Sequence, residues 1–170
     1  MPTKMPPRYA RLEIERRWLV ESDLIGSLDG VAYTAIEDLY LPDTGLRLRA
    51  MRDTNGATVF KLCKKYGTSS PLSEAMTNLY LSEAEHALLR SSLAGVSVSK
   101  RRYAVDGGSI DVYPGHDEWY VFEREFDSEA EALEYVPPRF ATVEITGDPL
   151  YSGAALAYRF DRRVPTAPFL

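Results

Sequence analysis

Among 170 residues there is a single cysteine and there are only two histidines. The lone Cys63 excludes an internal disulfide framework and any cysteine-cluster metal site. His86 and His116 are too few for a histidine-based zinc site. No run of about 18 apolar residues occurs, so nothing in the sequence reads as spanning a membrane. A basic excess is missing too. With 20 Lys+Arg against 25 Asp+Glu the formal net charge is −5, which excludes a protein that coats DNA or RNA but leaves room for a local basic pocket. The first eight residues are proline-rich and hold no apolar stretch, so they are not a signal peptide. These absences predict a soluble, cytoplasmic protein. The length predicts one domain over 1–170, with a core of about 8–160 and loose ends.

What is present is a series of short strand-like runs, at 8–21, 31–41, 45–52, 58–65, 73–81, 98–105, 108–113, 118–126 and 139–145. Turn signals separate most of them, among them Pro42-Asp43-Thr44-Gly45, Tyr66-Gly67-Thr68-Ser69-Ser70-Pro71 and Asp106-Gly107-Gly108. Three stretches read as helices: 82–93 and 128–135, each opened by a serine cap with acids in the first turn, and 151–160. Many antiparallel strands with few helices predict an α+β fold that is mainly β.

The alternation along the strands carries the chemical information, because every second side chain shares a face. In the first run Arg11, Glu13, Glu15 and Arg17 share one face; Leu12, Ile14, Trp18 and Val20 share the other. Arg47 and Arg49 lie opposite Leu46 and Leu48. Lys100 and Arg102 lie opposite Tyr103 and Val105. Glu123 and Glu125 lie opposite Tyr120, Phe122 and Phe126. Asp111 and Glu144 are each flanked by apolar neighbours. An ordinary sheet with one wet face also produces alternation. Two details favour another arrangement. The charges form tight like-sign pairs, which repel on a plain surface strand. Acids and bases are also segregated by strand. A closed barrel with charges inside and apolar residues outside, under a cover of helices, explains both. Such an interior is costly unless it binds something. Paired carboxylates hold hard divalent cations, and clustered arginine and lysine hold phosphate oxygens. The predicted occupant is a metal–polyphosphate complex.

At this point the chain resembles the triphosphate tunnel metalloenzymes, the CYTH superfamily. Glu13-Ile14-Glu15-Arg16-Arg17-Trp18-Leu19-Val20 is similar to the family's opening Glu-x-Glu-x-Lys strand. In order follow Ile36-Glu37-Asp38-Leu39-Tyr40-Leu41, the pair Arg47 and Arg49, Lys64 as the lysine of a Leu-Thr-x-Lys strand, and Lys100, Arg102 and Tyr103. Asp111-Val112-Tyr113-Pro114-Gly115, Glu123-Arg124-Glu125 and Glu144-Ile145-Thr146 with Tyr151 complete the series. The chain departs from the pattern where Arg17 replaces the motif lysine, where Met76 replaces an acid beside Glu74, and where Asp38 replaces a glutamine.

The resemblance, closest to small bacterial triphosphatases, implies an eight-stranded antiparallel barrel open as a tunnel. It implies Mg2+ or Mn2+ as cofactor and hydrolysis of tripolyphosphate or a small organic triphosphate. Arg17, Arg47, Arg49, Lys64, Lys100 and Arg102 are the implied phosphate contacts, with Arg17 and Lys64 also at the catalytic positions. Glu13, Glu15, Glu123 and Glu125 are the implied metal ligands; Asp111 and Glu144 either join them or orient the cations. Lys61, Lys65 and Cys63 fall on the opposite parity to Lys64 and read as lying outside. A non-catalytic polyphosphate- or nucleotide-binding module is the competing reading, favoured by Arg17, which cannot act as a base, and by Met76. Within the family, class IV adenylyl cyclase and thiamine triphosphatase activities are the alternatives. The expected partner is a triphosphate-containing small molecule, with no DNA and no membrane; a homodimer is left open.

Overall fold

The computed structural model describes residues 7–67, 70–116 and 119–161. The expected loose ends at 1–6 and 162–170, Thr68 and Ser69 of one turn, and Glu118 lie outside them. The strands are β1 (Arg11–Val20), β2 (Thr34–Tyr40), β3 (Leu46–Asp53), β4 (Thr58–Lys65), β5 (Ser73–Leu81), β6 (Val96–Val105), β7 (Gly108–Val112), β8 (Tyr120–Glu125) and β9 (Ala141–Glu144). The helices are α1 (Glu83–Ser92), α2 (Glu129–Glu134) and α3 (Gly153–Phe160).

Strands β1 to β8 form a closed antiparallel barrel in the order β5-β4-β3-β2-β6-β7-β8-β1, sealed by pairing of β1 with β5. Closure depends on the length of β1. One edge of it pairs with β8 through Glu15 to Leu19. The other pairs with β5 through Arg11 to Ile14 and then with β9 through Trp18 to Val20. The predicted eight-stranded barrel is therefore present, and β9 takes over the β1 edge where β5 departs. Closure through β1 and β5 gives the barrel no end strand among the described residues. The β6–β7 hairpin turns on Asp106 and Gly107, at φ 48° and 71°, the positive angles that a two-residue turn matched to strand twist requires.

The apolar faces point outward, as the alternation predicts. Trp18, Ile110 and Phe122 are buried with Phe140 and Ala141 on the outside of β1, β7 and β8. Ile14 and Phe126 pack on Ala132 of α2. Helix α1 opens on a capping box between Ser82 and Glu85, and its His86 ring lies 4.6 Å from the Phe60 ring on β4.

Helix α3 corrects the expectation that all helices cover the exterior. Its Leu156 and Ala157, both fully buried, pack among Val96, Val98 and Val121. Val98 stands opposite Asp38, which itself stands opposite Arg49, so Val96 and Val98 belong to the inner face. Past Asp38 and Lys100 the inner faces turn apolar and need an apolar cover, which α3 supplies by closing one end of the barrel. Gly153 is required for this approach, because a Cβ there would stand 2.1 Å from the Tyr40 hydroxyl oxygen.

Candidate functional site: the barrel interior

The interior encloses a cavity of about 450 Å³ that reaches from the β1, β5 and β8 carboxylates to the first turn of α3. Cross-strand register fixes its charge pattern, since residues directly opposite share a face. On the acidic wall Glu13 stands opposite Glu74, Glu15 opposite Glu125, and Arg17 opposite Glu123. On the basic wall Arg47 and Arg49 of β3 stand opposite Cys63 and Lys61 of β4. Lys100 and Arg102 of β6 lie across β2 from them, with Asp111 of β7 opposite Arg102. The segregation read from the sequence is thus a segregation in space.

Most of these charges are paired. Asp111, with no exposed surface, binds Lys100 through Oδ2 and receives Arg102 Nε and Nη2 at 2.7 Å each. Arg102 also reaches Glu123. Glu123 in turn accepts Arg17 Nε at 3.0 Å, while Arg17 Nη1 donates to the Tyr151 carbonyl at 2.8 Å, tying the acidic wall to the turn before α3. Asp38 is held by Arg49 at 2.6 and 2.7 Å. Burial opposes ionisation of Asp38 and Glu123, yet their arginine partners outweigh it and hold both below the ordinary carboxylate range. Burial pulls Lys100 below the usual lysine value despite Asp111. Burial also works against Arg17, but Glu123 and Glu15 beside it keep its guanidinium charged.

Two groups stand out by weaker pairing. Glu15 is pushed up to about 7 by burial and by Glu123 and Glu13, with Lys65 and Arg17 only partly offsetting them. Among the described residues no cation lies within ion-pair distance of it. Arg47 has a buried Nε with no hydrogen-bond acceptor; its nearest carboxylate oxygen, on Asp38, is 3.8 Å away. One wall therefore has a carboxylate short of a cation, and the other a guanidinium short of an anion.

Of the residues singled out in the sequence, Glu13, Glu15, Arg17, Arg47, Arg49, Lys100, Arg102, Glu123 and Glu125 all line this cavity. Asp111 lies just behind it, enclosed by Lys100 and Arg102. Two assignments need correction. Lys64 does not face the interior: it follows Phe60 and Leu62 on the outer face, opposite Leu46 and Thr77. The inner residues of β4 are Lys61, Cys63 and Lys65, and Lys65 makes ion pairs at 3.0 Å with Glu13 and 3.1 Å with Glu74. The signals were available: Phe60 and Leu62 carry the apolar, outward parity, and Leu-Thr-x-Lys counted from Leu62 ends on Lys65. Glu144 is likewise outside. It accepts Arg16 Nε at 2.8 Å and Nη2 at 2.7 Å on the outer surface, where Arg16 also lies over Trp18. Glu144 therefore braces β9 against β1.

Among the described residues no three acidic, histidine or cysteine side chains converge in ion-ligating geometry. The donor set nevertheless suits a hard divalent ion, being all carboxylate oxygen, and half-buried Glu15 is the member that most needs one. No helix among the described residues is long and apolar enough to cross a membrane.

No protein-family model matches the chain, and no curated protein matches it. Solved structures do. One of the hypothetical protein NE1496 superposes with a TM-score of 0.52 at 26% identity, over 85% of this chain and 96% of that one. Another, of the inorganic triphosphatase NE1496, gives 0.50 at 28% identity over 85% and 93%. The closed antiparallel barrel that the chain shares with these neighbours, its inward charges and the ordered motifs make it similar to the triphosphate tunnel (CYTH) proteins.

Proposed function

We propose that the protein hydrolyses the terminal phosphoanhydride bond of tripolyphosphate, or of a small organic triphosphate, inside the barrel. The observation that carries this reading is the buried Arg47 Nε without a hydrogen-bond acceptor, in a cavity between a basic and an acidic wall. The likeness to an inorganic triphosphatase at 28% identity supports it.

Arg47, Arg49, Lys65, Lys100 and Arg102 bind the phosphate oxygens, the arginines by forks of donors and the lysines as point charges. Asp38 holds Arg49, and Asp111 holds Lys100 and Arg102, which keeps the basic wall from repelling itself. Glu13, Glu15 and Glu125 are the residues that would hold Mg2+ or Mn2+, with Glu123 shared between this set and the arginines. When bound, the metal supplies charge neutralisation to the phosphate chain. Water attacks the terminal phosphorus and the bridging P–O bond breaks; the terminal group departs as orthophosphate carrying the water oxygen, pyrophosphate or the organic diphosphate leaves with the bridging oxygen, and the proton of the water passes to the leaving phosphate or to solvent. Phosphoryl transfer needs positioning and charge stabilisation more than covalent help. Arg17, which cannot take a proton, therefore serves by orienting Glu123 and the α3 turn.

The test is phosphate release from tripolyphosphate in Mg2+ and in Mn2+, with pyrophosphate and ATP as comparison substrates. Release from tripolyphosphate is expected with either metal. Tight binding without release under both metals would instead support the binding-module reading that Arg17 and Met76 favour.

A further inference from the structure

Lys65 stands at the seam between the two walls. Its strand β4 ends the basic side and its neighbour β5 begins the acidic side. Its ammonium sits between Glu13 and Glu74, at 3.0 and 3.1 Å, and those carboxylates belong to residues directly opposite on β1 and β5. Burial disfavours its charge, but Glu13, Glu15 and Glu74 outweigh that cost and hold it protonated. On its other side β3 presents Arg47 and Arg49 to the same cavity.

We propose that Lys65 is a resident counter-ion of the acidic wall that a divalent metal must displace, and that the displaced ammonium becomes a phosphate contact, so metal and triphosphate binding are linked through this one side chain. The inference rests on the triphosphatase reading above and adds to it a coupling between its two ligands. A lysine suits the exchange. It is a compact charge on a flexible stem, with donors that rotate freely, whereas a guanidinium fork is fixed in plane. While it holds Glu13 and Glu74, Lys65 competes with the metal for one carboxylate and is unavailable to phosphate. A metal on Glu13 removes half of its hold. Triphosphate then draws the freed ammonium across the seam. By reciprocity, triphosphate that captures Lys65 first exposes Glu13 and strengthens metal binding by the same factor.

The experiment is calorimetric titration of metal-free protein with Mn2+ alone and, separately, with tripolyphosphate in the presence of a chelator, for the parent, Lys65→Met and Glu74→Gln. Lys65→Met is expected to bind Mn2+ about ten-fold more tightly and tripolyphosphate about ten-fold more weakly, the scale of one charge-assisted hydrogen bond. Its melting temperature is expected to fall without metal and to rise more on Mn2+ addition than that of the parent. Glu74→Gln keeps the lysine but loosens its hold, so metal-free tripolyphosphate is expected to bind more tightly than to the parent. Should Lys65→Met bind Mn2+ no more tightly while both proteins still bind tripolyphosphate, the exchange is refuted and the triphosphatase reading stands. Weaker tripolyphosphate binding by Glu74→Gln would overturn the exchange in the same way. Failure of the parent to bind either ligand removes both.

Discussion

Asp111→Asn is expected to destabilise the metal-free protein by about 3–5 kcal/mol, the usual cost of breaking a buried ion pair from one side. Asp111 has no exposed surface and both of its carboxylate oxygens are engaged, one by Lys100 and Arg102 together and the other by Arg102. The amide keeps the shape, but it removes the negative charge that lets Lys100 stay buried. Arg102 retains Glu123, whereas Lys100 retains no carboxylate within ion-pair distance among the described residues. Tripolyphosphate brings anionic oxygens to the same cations, so it is expected to restore part of the loss. At about 100 times its dissociation constant a ligand adds roughly 2.7 kcal/mol. Urea unfolding with and without tripolyphosphate, both with chelator, measures the two effects. A loss below about 1 kcal/mol, the scale of an exposed pair, would show that Asp111 does not anchor the basic wall.

Arg47→Met is expected to do the opposite: little to stability, much to turnover. Arg49 and Arg102 hold structural carboxylates, but Arg47 has a buried Nε without an acceptor and stands 3.8 Å from the nearest oxygen of Asp38. Methionine keeps much of the stem's packing beside Tyr40. The unfolding free energy is therefore expected to stay within about 1 kcal/mol of the parent. Tripolyphosphate hydrolysis is expected to fall about 10²–10³-fold in kcat, the cost of losing one preorganised donor to developing charge. Comparing kcat with denaturant stability for Arg47→Met and Arg49→Met separates the roles, since Arg49→Met strands Asp38 and loses both. Unchanged turnover by a stable Arg47→Met protein would move the phosphate site away from this end of the cavity.

The barrel was legible because its pattern is inverted. Glu13-x-Glu15 and Glu123-x-Glu125 place like charges two apart, which an exposed strand has no reason to favour and a charged interior does. Strand β4 shows where that reading fails. Thr58-Val59-Phe60-Lys61-Leu62-Cys63-Lys64-Lys65 offers a lysine on either parity, and only the outward preference of Phe60 and Leu62, or the register against Arg47 and Arg49, decides between them. Glu144 failed for a different reason. Strand β9 lies on the β1 edge beyond the barrel seam, so its parity is set by Arg16 outside and not by the cavity. The closing position of α3 has no local signal. It follows from Val96, Val98 and Val121 facing inward at one end, a fact of three-dimensional register. The charge deficit at Glu15 and the surplus at Arg47 likewise emerge only when all the inward partners are assembled.

A crystal structure of the protein soaked with tripolyphosphate under metal-free conditions tests the central claim most directly. The phosphate chain is expected inside the barrel, its oxygens on Arg47, Arg49, Lys100 and Arg102 and its end toward the first turn of α3. Tripolyphosphate bound on the outer surface, with the interior ion pairs of Asp38, Asp111 and Glu123 undisturbed and the cavity empty at saturating ligand, would contradict it.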